Sequence, residues 1–139
     1  MSISAMGFSY CISLQVRHPD ADPDDIIHEI GLPVRRSSKM GEPRSTLRGA
    51  PLPGHYDMTF CVFDLGVGAD GELADHLRSR IATLIPKREF LHELRATGGS
   101  LNLFITWTVG ERGEVFDCTL LSDLVSLGID LGIEPISAD

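Results

Sequence analysis

Leu101-Asn102-Leu103-Phe104-Ile105-Thr106-Trp107-Thr108-Val109 decides the fold, because an apolar side chain recurs at every second position. Successive side chains of an extended chain point to opposite faces, so this period marks a strand with one face in a core. The same period runs through Tyr10-Ile12-Leu14-Val16, Tyr56-Met58-Phe60-Val62 and Ile129-Leu131-Ile133. These apolar sets are expected to share one core face. The opposite face then carries Ser13, Gln15, Arg17, Thr59, Cys61, Phe63, Asn102, Phe104, Thr106 and Thr108.

Working outward, the first strand covers Phe8 to Arg17 and is followed by a helix start at Asp22-Pro23-Asp24-Asp25. Asp22 can accept from free backbone N–H groups, and the fixed φ of Pro23 suits the first helical position. Ile26, Ile27 and Ile30 make its apolar stripe, and Gly31 ends it. A weakly patterned second strand is read over Pro33 to Ser38. Gly41, Pro43, Gly49, Pro51, Pro53 and Gly54 then punctuate a long, irregular connection to the third strand.

A glycine-rich loop from Gly66 to Gly71 leads into a long helix with Leu73, Leu77, Ile81 and Leu84 on one face. Pro86 must interrupt it, since proline cannot donate to the preceding turn. A fresh segment carries Phe90, Leu91 and Leu94 as far as Gly98-Gly99. The fourth strand then turns through Gly110-Glu111-Arg112-Gly113 into a short strand around Glu114 to Asp117. A helix near Leu120 to Leu127, stopped by Gly128, feeds the last strand.

The order is β-α-β-β-α-β with an appended β-α-β tail. It predicts an α+β, ferredoxin-like (split βαβ) antiparallel sheet with helices on one face. The 139 residues fit a single domain, and 42% hydrophobic content supplies a core. No apolar run approaches the roughly 18 residues of a membrane span. No basic segment precedes a long apolar stretch, so no secretory signal is expected. The three cysteines, Cys11, Cys61 and Cys118, lack C-x-x-C spacing and fit a reducing cytoplasm.

Asp22-Pro23-Asp24-Asp25-Ile26, Gly31-Leu32-Pro33 with Arg36 and Ser37, and Lys39-Met40-Gly41-Glu42-Pro43-Arg44 form a recognisable set. Leu84-Ile85-Pro86, Leu103-Phe104-Ile105 with Trp107, and Leu127-Gly128-Ile129-Asp130-Leu131 extend it. With these segments the chain, from Cys11 to about Glu134, resembles the bacterial family catalogued as domain of unknown function 4279. The resemblance implies no activity, because the family has none to transfer.

A net charge of −8 argues against a nucleic-acid binder or a seeker of anionic membranes. Locally the balance reverses: Arg35, Arg36, Lys39, Arg44 and Arg48 face only Glu42 across that segment. Such an excess suits an acidic partner or a small anion. Gly66-Val67-Gly68-Ala69-Asp70-Gly71 satisfies G-x-G-x-x-G, but the alternating strand before it and Asp70 within it speak against a dinucleotide. Asp20, Asp22 and Asp24 lack the glycine and glutamate of a calcium loop and read as helix-capping charge. His18 and His55 are weak metal candidates, brought near each other if the first and third strands pair. No metal or other cofactor is expected.

The sequence therefore reads as a small cytoplasmic, non-catalytic binding module that uses the open sheet face and a basic hairpin segment, with a protein partner or a second copy as a homodimer. Its candidate binding residues are Arg35, Arg36, Lys39, Glu42, Arg44, His55, Phe63 and Phe104. The alternative is a small enzyme or anionic-ligand sensor with its pocket between Lys39–Arg44 and His55.

Overall fold

The computed structural model describes residues 9–108, 110 and 112–137. Phe8, Val109 and Glu111, assigned above to strand ends and a turn, lie outside the described residues. The fold is α+β. A five-stranded open sheet has the order β2 (Val34–Ser38), β5 (Thr59–Gly68), β1 (Tyr10–His18), β6 (Ser100–Thr108), β7 (Asp130–Ile136). β3 (Pro43–Ser45) and β4 (Pro51–His55) pair separately as a hairpin. Helices α1 (Pro23–Ile30), α2 (Leu73–Leu84), α3 (Arg88–Ala96) and α4 (Cys118–Leu127) connect the strands.

Local chemistry accounts for the helix ends. Asp22 Oδ1 accepts the Asp24 N–H at 2.9 Å, and Gly31 closes α1 with φ 69°. A cap of this kind contributes about 1 kcal/mol. Pro86 forces a 3₁₀ turn, Ile85–Lys87, between α2 and α3. Gly128, at φ 72°, stops α4. The stripes expected on these helices pack as one core with the sheet: Ile26 and Ile30, Leu73, Leu77, Ile81 and Leu84, Leu91 and Leu94, then Leu120, Leu124 and Leu127.

Two expectations about the sheet need correction. It is mixed rather than wholly antiparallel, because β7 runs parallel to β6. The strand expected over Glu114 to Asp117 does not form, so the tail is a helix and a strand alone. That segment serves the helices instead. Glu114 Oε1 accepts the Leu73 N–H at 2.8 Å at the start of α2, and Asp117 Oδ1 accepts the Leu120 N–H at 2.9 Å.

The third correction concerns which face of β5 is buried. Leu14 lies opposite Phe63 and Val16 opposite Cys61, so Cys61, Phe63 and Leu65 belong to the core. Phe60 and Val62 point the other way, against the alternation read through Tyr56 and Met58, which precede the strand. The cause is a polar anchor. Thr59 is fully buried, donates to the Ala21 carbonyl at 2.6 Å and accepts the Met40 N–H at 3.2 Å. Asp64, on the opposite parity, stays exposed. For β1 and β6 the expected faces hold, with Ile12, Leu14, Leu103 and Ile105 buried.

The glycine-rich segment is only partly a loop: residues 66–68 end β5 and residues 69–71 form the turn before α2, and the first two glycines make room for side chains. A Cβ at Gly68 would overlap the Tyr10 hydroxyl, and one at Gly66 would come within 2.9 Å of His76 Cε1.

Candidate functional site

The open face of the sheet is ordered in rows across the strands. Asn102, Gln15, Val62 and Arg36 form one row, and Ser100, Arg17, Phe60 and Ser38 form the next. An irregularity in the β2–β5 register between Val34 and Arg36 leaves both Arg35 and Arg36 beside this face. Beyond β2, the β3–β4 hairpin supplies a wall. Tyr56 fixes its base: its N–H donates to the Glu42 carbonyl at 2.9 Å, and its hydroxyl exchanges hydrogen bonds with the Ser45 backbone, each at 3.2 Å.

Three adjoining concavities lie where sheet and hairpin meet, and Arg36 lines all of them. One of about 400 Å³ has Phe60, Val62 and Gln15 as its floor, with Arg35, Arg36 and Leu47 around them. Another, about 310 Å³, lies against Ser45, Thr46 and Tyr56 of the hairpin. The third, about 170 Å³, brings Arg17, Tyr56 and Phe60 together with Asp57. Leu47 is 80% exposed at the hairpin tip.

Charge is concentrated at the same place. The Arg17 guanidinium lies 4.9 Å from the Phe60 ring centroid, a cation–π contact. Arg35 is partly answered by Asp64 at 3.4 Å. Among the described residues Arg36 makes no ion pair. The Tyr56 phenol is shifted to lower pKa, first by the Ser45 backbone N–H and further by the Arg36 guanidinium. The groove therefore has an apolar floor and a cationic rim.

The candidate residues divide. Arg35, Arg36 and, farther along the open face, Phe104 lie on this side, the last against Gly132. Phe63 does not: it is fully buried in the core, a consequence of the inverted β5 faces. Lys39 reaches towards α1, its Nζ 4.0 Å from Asp22 Oδ2. Arg44 donates to the Pro53 carbonyl at 3.3 Å within the hairpin, where His55 pairs with Pro43. Neither Lys39, Glu42, Arg44 nor His55 lines the three concavities. Arg17, Leu47, Tyr56, Phe60 and Val62 complete the groove. For Phe60 and Val62 the signal is Asp64, a charged residue on the same parity of β5. Arg17 already stood on the expected open face, and Leu47 and Tyr56, outside that strand, carried no such signal.

His18 is committed to the fold. Its Nδ1 accepts the N–H groups of Asp20 and Ala21 at 3.2 and 2.9 Å, and Nε2 pairs with Thr97 Oγ1 at 2.7 Å. It lies opposite Thr59, at the buried start of β5, whereas His55 is exposed in the hairpin. Among the described residues no group of three or more His, Cys, Asp or Glu side chains is placed to hold a metal ion.

A larger cleft, about 470 Å³, opens between α3 and the start of β7. Its polar groups finish α4: Arg95 Nη1 donates to the Gly128 carbonyl at 2.9 Å, and His92 Nε2 meets the Ser126 carbonyl at 2.6 Å. In the sheet–hairpin groove, by contrast, Arg36 makes no ion pair among the described residues and stands beside Phe60 and Leu47. No helix among the described residues is long and apolar enough to cross a membrane. The chain matches no family model, no curated protein and no solved structure.

Proposed function

We propose that the protein is a non-catalytic binding module that uses the open sheet face together with the β3–β4 hairpin. The observation that carries this reading is the groove itself: Phe60 is left half-buried on the face away from the helices, beside the buried Val62, with Arg17 over its ring and Arg35 and Arg36 at the rim. Apolar surface rimmed by polar groups is the usual form of a contact site. The order β2-β5-β1-β6 supports a ferredoxin-like reading of that part of the sheet, to which β7 is added. The likeness to domain of unknown function 4279 belongs to the same proposal. Its segments fall largely on turns and caps, such as Asp22-Pro23 and Leu127-Gly128, so it bears on fold more than chemistry.

Two occupants make different demands on this surface. A partner protein or a second copy needs a broad area, of about 800 Å² per side for a stable complex. A small anion needs a concavity with converging cations. The clustering of three concavities around Arg36 favours the second, although Lys39 and Arg44 splay away from it.

Sedimentation equilibrium and a thermal-shift screen test the proposal together. Self-association that Phe60→Asp abolishes would support the homodimer form. Stabilisation by carboxylated or phosphorylated compounds, lost in Arg36→Gln, would support the ligand form. At 100 times its dissociation constant a ligand adds about 2.7 kcal/mol of stability. A strict monomer that no anion stabilises would leave both forms without support and overturn the reading.

A further inference from the structure

We infer that the groove takes a small amphipathic anion: an oxyanion head held by Arg36 and an apolar body laid over Phe60 and Val62. The inference rests on the proposed binding role of this surface and names its ligand class.

Three observations on the groove converge. Its floor is apolar at the centre, where Val62 stands between Gln15 and Arg36 in one row, and Phe60 lies in the next. Its rim is cationic in a chain of net charge −8, so the charge there is local. The volume beside Arg36, about 400 Å³, falls in the range of small-molecule sites.

The cations are not equivalent. Arg35 already faces Asp64 at 3.4 Å, and Arg17 lies over the Phe60 ring. Arg36 is left to act as the anchor. A guanidinium offers two parallel N–H donors to a carboxylate or phosphate, which fixes the head group as well as attracting it. The Tyr56 hydroxyl, already acidified by Ser45 and Arg36, lines the same wall. An anion without an apolar body would leave Phe60 and Leu47 uncovered. An apolar molecule without a charge would leave the arginine rim unanswered. Both requirements together define the ligand.

The test uses the full chain, labelled for amide NMR, and titrates octanoate, octyl phosphate, octanol, octylammonium, acetate and inorganic phosphate. Octanoate or octyl phosphate should move the amides of Gln15, Arg36, Phe60 and Val62, and bind at least about tenfold more tightly than the other four. Whichever of the two binds better identifies the head group. Arg36→Gln should weaken that binding about tenfold or more with the remaining spectrum unchanged. Lys39→Gln, which alters a cation directed at α1, should leave it unchanged.

Equal binding of acetate or phosphate would overturn the need for an apolar body, and equal binding of octanol or octylammonium the need for a negative head. Shifts confined to another surface, or no binding at roughly 10 mM, would overturn the inference itself. In that last case a dimer dissolved by Phe60→Asp would still uphold the groove as a contact surface, so the two failures are distinguishable.

Discussion

Strand β5 sends Thr59, Cys61, Phe63 and Leu65 under the helices, and Phe60, Val62 and Asp64 to the other side. Both sets contain an aromatic ring and an aliphatic side chain; Val62, between its strand neighbours, is itself only 8% exposed, so it is the two rings that meet different environments. On the covered side every large group is packed, and burial pushes the Cys61 thiol up to about 11. On the open side Phe60 is half-buried under an arginine, and Leu47 hangs from the neighbouring hairpin almost free. Apolar content alone does not choose between these faces. The polar residues choose: Thr59 can be satisfied inside by Ala21 and Met40, and Asp64 has no such partner there.

The comparison breaks most readily at the two phenylalanines. Phe63→Ala removes a fully buried ring and should cost about 3–5 kcal/mol in urea unfolding. Phe60→Ala removes a half-buried ring from the groove and should cost about 1 kcal/mol or less. Equal losses would mean that the open face is a second core, and that its residues are kept for folding rather than contact.

A smaller effect sharpens the role of the anchor. Thr59→Val keeps the shape but strands the Ala21 carbonyl and the Met40 N–H. It should lower stability by about 1–2 kcal/mol, the cost of leaving buried polar groups unpaired. Thr106→Val is the same change on the open face, where the side chain is half-buried, and should stay within about 0.5 kcal/mol. If Thr59→Val proved equally mild, some other feature would have to set the parity of β5.

These energies also explain what could be read from the chain beforehand. The ends of α1 and α4 were legible because a cap is local: Asp22-Pro23, Gly31 and Gly128 act on neighbours within four residues. The faces of β1 and β6 were legible because polar residues interrupt their apolar sets. In β5 the run Phe60-Cys61-Val62-Phe63 is apolar on both parities, and the deciding bonds come from Ala21 and Met40, far away in sequence.

A basic hairpin segment was legible, but its strands, Pro43–Ser45 and Pro51–His55, showed only as proline and glycine punctuation, since they are short and largely exposed. The basic excess exposed Arg35 and Arg36 as candidates. It was silent about Arg17, Tyr56 and Phe60, which only cross-strand pairing and the hairpin's fold-back bring to them.

The smallest predicted effect separates the two sides by pH. At the edge of the covered side, His76 Nδ1 lies 2.9 Å from the Tyr10 hydroxyl, and Nε2 accepts from Arg80 Nε at 3.3 Å. Desolvation lowers its pKa, and the Arg80 charge lowers it further. The Leu65 backbone and Glu72 oppose the shift without cancelling it. The unfolded chain therefore takes up this proton first. The contribution of neutral His76 is complete above about pH 6.5, the ordinary histidine value, and is lost as pH falls below it until the folded form also protonates. Wild type should lose more thermal stability between about pH 7.5 and pH 5 than His76→Gln, which cannot titrate there. Arg36→Gln, whose charge lies in the open groove, should keep the wild-type slope. A slope unchanged in His76→Gln would show that the imidazole is as well solvated as the arginine rim, and the contrast between the sides would then be one of packing alone.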